Sequence, residues 1–253
     1  MNKQVYIVTP AYNNENFVNR TFSCLKNQTY TNWKWVVVDD GSEDATLQRL
    51  IEFSAMDNRV IVKKNLGNKG AGGARNFGLK FVDGNLLTFI DADDEWNPNF
   101  LEIMVQKVLK PNSMAFGGYK RKYPNSENIF IPTKKISFTD LFRGSDISCL
   151  TAIYHFANNS EIPKFGEIRA RNDLIFNLRV LQVIDYAEPV SEVLATYHIQ
   201  KRSISRNKFK LIYWQYYVSR SFQRSIILSI KDVIHWAFYG LKKYQIFNFF
   251  RKK

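Results

Sequence analysis

Four apolar runs recur through the first ninety residues: VYIVT (5–9), WKWVVV (33–38), RVIVK (59–63) and LLTFI (86–90). Stretches with helical spacing separate them at 14–27, 43–55 and 71–82. That cadence predicts βα units and a mainly parallel central sheet, because parallel neighbours need a long crossover and a helix fills it. The expected class is α/β, with helices flanking the sheet. Ser42, followed by Glu43 and Asp44, reads as a helix N-cap. Asn97-Pro98 reads as a second helix start.

Residues 111–135 break the cadence with turn-formers and short alternating runs, so loops and hairpin strands are expected there and the sheet becomes mixed. Beyond them a helix is expected over 171–182, a strand over 190–199, and two helical stretches near 206–230 and 231–250. A chain of 253 residues supports one main core. Hydrophobic residues at 45% exclude a disordered chain.

Cys24 and Cys149 match no metal or disulfide spacing, which points to two buried thiols in a reducing compartment. MNKQVYIVTP runs into a strand without a signal-peptide core, and no run of 18 apolar residues occurs. Neither secretion nor a membrane span is expected.

In an open α/β sheet, ligands bind beyond the carboxyl ends of the strands. The residues there are Thr9-Pro10-Ala11-Tyr12-Asn13, Asp39-Asp40-Gly41-Ser42 and Asp91-Ala92-Asp93-Asp94, with Gly70-Ala71-Gly72-Gly73-Ala74-Arg75 ahead of the third helix. Arg75 stands where the dinucleotide fingerprint needs its third glycine, and no Walker lysine pattern occurs, so NAD and P-loop chemistry are set aside. Small residues before Arg75 let a ligand approach the backbone while the guanidinium meets an anion. Asp91 and Asp93, two apart, would face one side of an extended backbone and could hold a hard cation such as Mg²⁺ or Mn²⁺. A solvated acidic turn is the alternative for these carboxylates.

Taken in order, IVTPAYN (7–13), VVVDDGSED (36–44), GGARNFGL (72–79) and FIDADDEWNP (89–98) resemble the family 2 glycosyltransferases, inverting enzymes of the GT-A fold. The resemblance is close over the first hundred residues and looser to about 206. It implies that Tyr12 stacks on the nucleotide base, that Asp40 hydrogen-bonds it, and that Pro10, Ala11 and Ala92 line the same donor pocket. Arg75 would help hold the nucleotide, Asp91 would contact the ribose or the metal shell, and Asp93 would be the direct metal ligand. The family's acidic base at a helix start matches Asp173 in Asn172-Asp173-Leu174-Ile175-Phe176, although Asn172 replaces the usual Glu; Glu167 is the fallback. Tyr197-His198 with Ser203-Ile204-Ser205 resembles the family's closing segment, in which His198 would complete the metal shell.

The implied domain plan is a GT-A domain over 1–205, with a nucleotide-sugar half at 1–110 and an acceptor half at 111–205, and a helical extension at 206–253. The implied activity is transfer from a nucleotide sugar, of the UDP class, to a hydroxyl of a glycan or lipid-linked acceptor in bacterial surface polysaccharide synthesis. A non-catalytic nucleotide-sugar-binding scaffold and a sugar-phosphate nucleotidyltransferase are the rivals.

Net charge is +13, and residues 200–253 hold 13 Lys+Arg against one acid, Asp232. Aromatics interleave with these cations, a composition suited to an interfacial helix on anionic lipid at the inner face of the cell membrane. Packing against the catalytic core or another subunit is the alternative. Nucleic acid is not expected, since the first domain is near neutral and organised around carboxylates.

Overall fold

The computed structural model describes residues 3–67, 70–144, 147–158, 160–168, 170–199 and 208–250. The first hundred residues form β1 (Val5–Ala11), α1 (Val18–Lys26), β2 (Trp33–Asp39), α2 (Thr46–Met56), β3 (Val60–Lys64), α3 (Ala71–Leu79), β4 (Leu86–Phe89) and β5 (Glu95–Trp96). Then come α4 (Phe100–Lys107), β6 (Ser113–Tyr123), β7 (Ser126–Phe130), β8 (Ile136–Ser137), α5 (Phe138–Phe142) and a 3-10 turn at Cys149–Thr151. The chain continues through β9 (Ala152–His155), α6 (Asn172–Val180), β10 (Tyr186–His198), α7 (Lys208–Ser221) and α8 (Ile226–Phe250).

The strands join in one sheet of order β3-β2-β1-β4-β9-β6-β10-β5, with β7 on β6 and β8 on β10. β1 to β4 are parallel, β9 runs antiparallel between β4 and β6, and β10 returns parallel to β6. The sheet is mixed, as the broken cadence after residue 110 predicts. β1 has β2 on one side and β4 on the other, so the chain reverses its direction of travel across the sheet there. The carboxyl ends of β1 and β4 therefore flank a switch-point crevice.

Period-2 alternation explains why these runs are almost wholly apolar. Val5, Ile7, Trp33, Trp35 and Val37 pack on one side with Phe22, Leu25 and Phe100. Tyr6, Val8, Val36 and Val38 pack on the other with Phe89, Tyr154 and Phe176. A sheet covered on both faces needs apolar residues at both phases of the pleat. Trp35 Nε1 donates to Thr9 Oγ1 at 2.7 Å, which satisfies the polar atoms this burial traps.

Pro10 sits in a central strand without costing a ladder bond. Val8 accepts from Ile90 at 3.4 Å, and β4 stays in register with β1 only as far as Val8. Pro10 faces the same side as Val8, beyond that neighbour's end, so its missing N–H falls at the crevice.

Two helix starts differ from expectation. Ser42 is not a cap: α2 begins at Thr46, and the Ser42 hydroxyl accepts from Asn13 N at 3.0 Å. Asn97 is not a cap either, because α4 begins at Phe100 while Asn97 Nδ2 donates to Val193 O of β10 at 2.8 Å. In both cases a tertiary partner outcompetes the local helix bond. The break between the last two helices falls at 222–225, where Gln223 has φ 57°, rather than at 230. Cys149 is buried as expected, but Cys24 is only half-buried.

α7 and α8 dock on α5 and the start of α6. Val218 is fully buried beside Phe142 and Phe176, Gln215 Nε2 donates to Phe142 O at 3.3 Å, and the Arg171 guanidinium lies 4.6 Å from the Trp236 ring centre. Asp232, the tail's single acid, is buried and accepts from Ser219 Oγ at 2.7 Å and Arg224 Nε at 2.6 Å.

Candidate functional site

Beyond the carboxyl ends of β1, β2 and β4 the structure places the sequence-derived residues in two adjoining groups. The first comprises Tyr12 and Asp40. Tyr12 is 53% exposed, which leaves its ring face open to a stacking partner. Asp40 is buried; its N–H reaches Ala11 O at 2.8 Å, and its carboxylate accepts from Asn65 Nδ2 at 2.7 Å and Gly70 N at 2.6 Å. Gly70 has φ +100°, a conformation L side chains rarely adopt, and this turn delivers its N–H to Asp40 ahead of α3. Ala11 and Ala92 are core residues, so only their backbone can meet a ligand.

The second group lines a cavity of about 340 Å³, walled by Arg75, Asp91, Asp94, Asp173, Tyr119, Arg121 and Tyr197 among others. Arg75 projects from α3, Asp91 follows β4, and Asp173 stands in the first turn of α6. Gly72 permits this meeting. A Cβ there would come within 2.9 Å of both Asn172 Nδ2 and Gly166 O, so only glycine lets α3 approach the start of α6 so closely. Arg75 pairs with Asp91 Oδ1 and lies 5.2 Å from the Phe165 ring centre. Burial, the largest single influence, opposes the charge on Arg75, but Asp91, Cys149 and Asp173 together outweigh it, so its pKa lies above the usual value. Glu167, the fallback base, is exposed and is not among the residues walling the cavity.

Asp91 to Asp94 form a turn, with Asp94 N donating to Asp91 O at 3.1 Å, rather than the extended backbone expected. Burial nonetheless alternates: Asp91, Asp93 and Glu95 are half-exposed, while Ala92, Asp94 and Trp96 are buried. Asp94 is buried, so the alternative of a solvated acidic turn does not hold for it. Its Oδ1 accepts from His198 N at 2.9 Å, while its Oδ2 is buried with no hydrogen-bond partner among the described residues. Burial, with repulsion from Asp91 and Asp93, pushes the Asp94 carboxyl well above the usual carboxylate range.

An orphaned buried oxygen within a crowded set of carboxylates fits a hard divalent cation. Among the described residues no three His, Cys, Asp or Glu side chains converge as a ready-made metal cage. That suits an ion held by one or two carboxylates and completed by diphosphate and water. The fit is good for the aspartates and poorer for His198, whose Nε2 lies 2.8 Å from Glu95 Oε1. Burial, and then Arg20, push the His198 pKa below its ordinary value.

Several neighbours were not anticipated. Arg20 of α1 donates to Asp93 O and lies 2.8 Å from Glu95 Oε1, tying the acidic turn to the first helix. Tyr119 and Arg121 enter from β6, where they meet Tyr197 of the closing segment on β10. The period-2 phase of YKRKY (119–123) is the signal that places Tyr119 and Arg121 on one face. Cys149 also lines the cavity, where burial and then Asp173 push its thiol up to about 12. Ser203-Ile204-Ser205 lies outside the described residues.

Residues 6–164 match the profile described as glycosyl transferase family 2. The chain is 32% identical over 245 residues to the UDP-Glc:alpha-D-GlcNAc-diphosphoundecaprenol beta-1,3-glucosyltransferase WfgD of Escherichia coli, covering 95% of this chain and 94% of that one. Among solved structures, S. aureus TarS 1–349 in complex with UDP-GlcNAc superposes with a TM-score of 0.70 at 18% identity, covering 92% of this chain and 71% of that one. The mannosyltransferase PcManGT from Pyrobaculum calidifontis, in complex with GDP-Man and Mn²⁺, gives 0.67 at 15% identity, covering 91% and 70%. These two likenesses show the fold.

Proposed function

The chain belongs to glycosyl transferase family 2, and from that premise we propose that it moves one sugar from a UDP-sugar to a hydroxyl of a glycan or lipid-linked acceptor, inverting the anomeric centre. It is a glycosyltransferase with a GT-A fold. The observation that carries the proposal is the convergence of Arg75, Asp91 and Asp173, from three separate elements, on one cavity beside the β1/β4 switch point. The name of the Escherichia coli relative supports the donor class and the lipid-linked acceptor.

Tyr12 stacks on the base, Asp40 and the backbone of Pro10, Ala11 and Ala92 form the floor of the donor pocket, and Arg75 with Asp91 meets the diphosphate and ribose. Asp93 would hold Mn²⁺ or Mg²⁺, with His198 the second residue that could serve as a ligand. When bound, that ion supplies Lewis-acid stabilisation of the leaving diphosphate. Asp173 takes the acceptor hydroxyl's proton as the new bond forms, a contribution typical of a positioned base of about 10²–10⁴-fold. Displacement from the face opposite the leaving group turns an α-linked donor into a β-glycoside.

Residues 1–205 act as the catalytic domain and 206–253 as a docked extension that meets anionic lipid at the inner face of the membrane. In this reading the contact is peripheral. No helix among the described residues is long and apolar enough to cross a bilayer. The test is a panel of nucleotide sugars with a lipid-linked acceptor, with and without Mn²⁺, read by UDP release and product NMR. A β-linked product from a UDP-sugar, lost on chelation, is expected. Retained anomeric configuration, or pyrophosphate release from a nucleoside triphosphate, overturns the proposal.

A further inference from the structure

The cavity holds a second guanidinium, Arg121, on the side built by the chain's later strands. It is carried by β6, whose residue Arg121 pairs in register with Tyr197 of β10. Both residues, with Tyr119, wall the cavity that also contains Asp173. The Arg121 guanidinium is set by Tyr119: one nitrogen lies 2.6 Å from the phenol oxygen, and the charge centre lies 5.2 Å from the ring centre. Neighbouring Lys120 points to the other face of the strand, where it meets Glu127 at 3.2 Å. The strand's pleat thus selects Arg121 alone of YKRKY's cations for the cavity.

The two guanidiniums occupy different stations. Arg75 stands at the carboxyl end of β4 against Asp91, where the donor diphosphate belongs. Arg121 stands two strands further across the sheet, beyond β9. A donor has one diphosphate, and the acidic turn with Arg75 already addresses it. In a sugar linked to lipid through diphosphate, the accepting hydroxyl and the phosphorylated anomeric carbon belong to one pyranose ring. A base for the first and a cation for the second must therefore line the same cavity, as Asp173 and Arg121 do.

Resting on the lipid-linked-acceptor reading above, we propose that Arg121, oriented by Tyr119 and flanked by Tyr197, binds the anomeric phosphate of the acceptor and makes the enzyme selective for phosphate-linked acceptor sugars. The five N–H donors of a guanidinium form a planar fork that matches phosphate oxygens, and Tyr119 fixes the plane of that fork. The neighbouring phenols supply the ring faces and hydroxyls that a sugar needs alongside.

The test compares two acceptors carrying the same sugar, one on a short-chain lipid diphosphate and one on a neutral alkyl aglycone. For wild type, Arg121→Lys and Arg121→Gln in the full chain, kcat/KM for each acceptor and KM for the UDP-sugar are measured. Wild type is expected to prefer the diphosphate acceptor, and Arg121→Gln to shrink that preference by about 10- to 100-fold, the worth of a charge-assisted hydrogen bond. Arg121→Lys, which keeps the charge without the fork, falls between. An unchanged preference ratio in Arg121→Gln, or a change confined to the donor KM, overturns the assignment. Absence of transfer to either acceptor by wild type would instead overturn the proposed function, so the two failures are distinguishable.

Discussion

Arg75 and Asp91 form an ion pair whose halves differ sharply in exposure: the arginine side chain is 7% exposed and the aspartate 42%. The cation is fixed, carried by α3 and set beside the Phe165 ring, while its partner looks out into the cavity. An incoming diphosphate can share that fixed charge without any need to move it. Arg75→Lys keeps charge but loses the fork, and its donor KM should rise about tenfold or more. Arg75→Ala leaves Asp91 without its counter-charge beside Asp94 and Asp173, and should also destabilise the fold by about 1–3 kcal/mol in urea titrations. An unchanged donor KM in Arg75→Lys would place the anion elsewhere.

Asp173 and Glu167 are the two candidate bases, and their positions predict opposite outcomes. Asp173 walls the cavity from the first turn of α6, whereas Glu167 is exposed. Asp173→Asn should lower transfer by about 10²–10⁴-fold while donor binding, followed by thermal shift, persists. Glu167→Gln should change transfer by less than about twofold. The reverse pattern would move the base to Glu167.

What could be read in advance, and what could not, follows from range. β1 to β4 emerged from the sequence because their residues alternate between two buried faces, a pattern visible within each run. Strand ends then pointed to Tyr12, Asp40 and Asp91. The motif containing Asp173 singled it out as the candidate base, though its distance from Arg75 in sequence gave no geometric reason for their meeting; Gly72 supplies that reason only once α3 and α6 are packed. The meeting of Tyr119 and Arg121 with Tyr197 of the closing segment was not legible, because β6 and β10 are far apart in the chain and their register is set by tertiary pairing. Ser42 and Asn97 misled for the same cause: each had a better distant partner than the helix it seemed to cap.

His155 provides a pH handle away from the site. It is fully buried on β9, with Nδ1 2.6 Å from Val108 O and Nε2 3.2 Å from Lys3 Nζ. Burial, with Lys3 adding repulsion, lowers its pKa below the ordinary 6.5. The folded chain keeps this imidazole neutral, while the unfolded chain protonates it near pH 6.5. Between the folded pKa and 6.5 the unfolded state binds more protons, so stability rises with pH in that window. The contribution is full above about pH 6.5 and is lost as pH falls through the folded pKa. Urea midpoints from pH 5 to 7.5 should show this slope in wild type and a shallower one in His155→Gln; equal slopes would assign the pH dependence to other groups.

Ile226, Ile230, Ile234 and Phe238 on α8 recur every four residues and are 57%, 48%, 60% and 64% exposed. Asp232, on another side of the same helix, is locked to Arg224 and Ser219. One side of α8 is thus fastened to α7 while an apolar stripe faces outward, in a segment with 13 cations and a single acid between residues 200 and 253. Such a stripe inserts into a headgroup layer, and the cations attract anionic lipid. Each isoleucine buried in lipid should contribute roughly 1.5–3 kcal/mol, so Ile230→Glu with Ile234→Glu should weaken sedimentation with phosphatidylglycerol vesicles by more than about 100-fold. Binding by wild type should also fall with added salt. Transfer to a water-soluble acceptor should survive the double substitution, because the stripe points away from the α7 contact that docks the helices. Vesicle binding that persists in the variant, or a wild type that self-associates through the stripe and ignores vesicles, would make α8 a subunit interface instead.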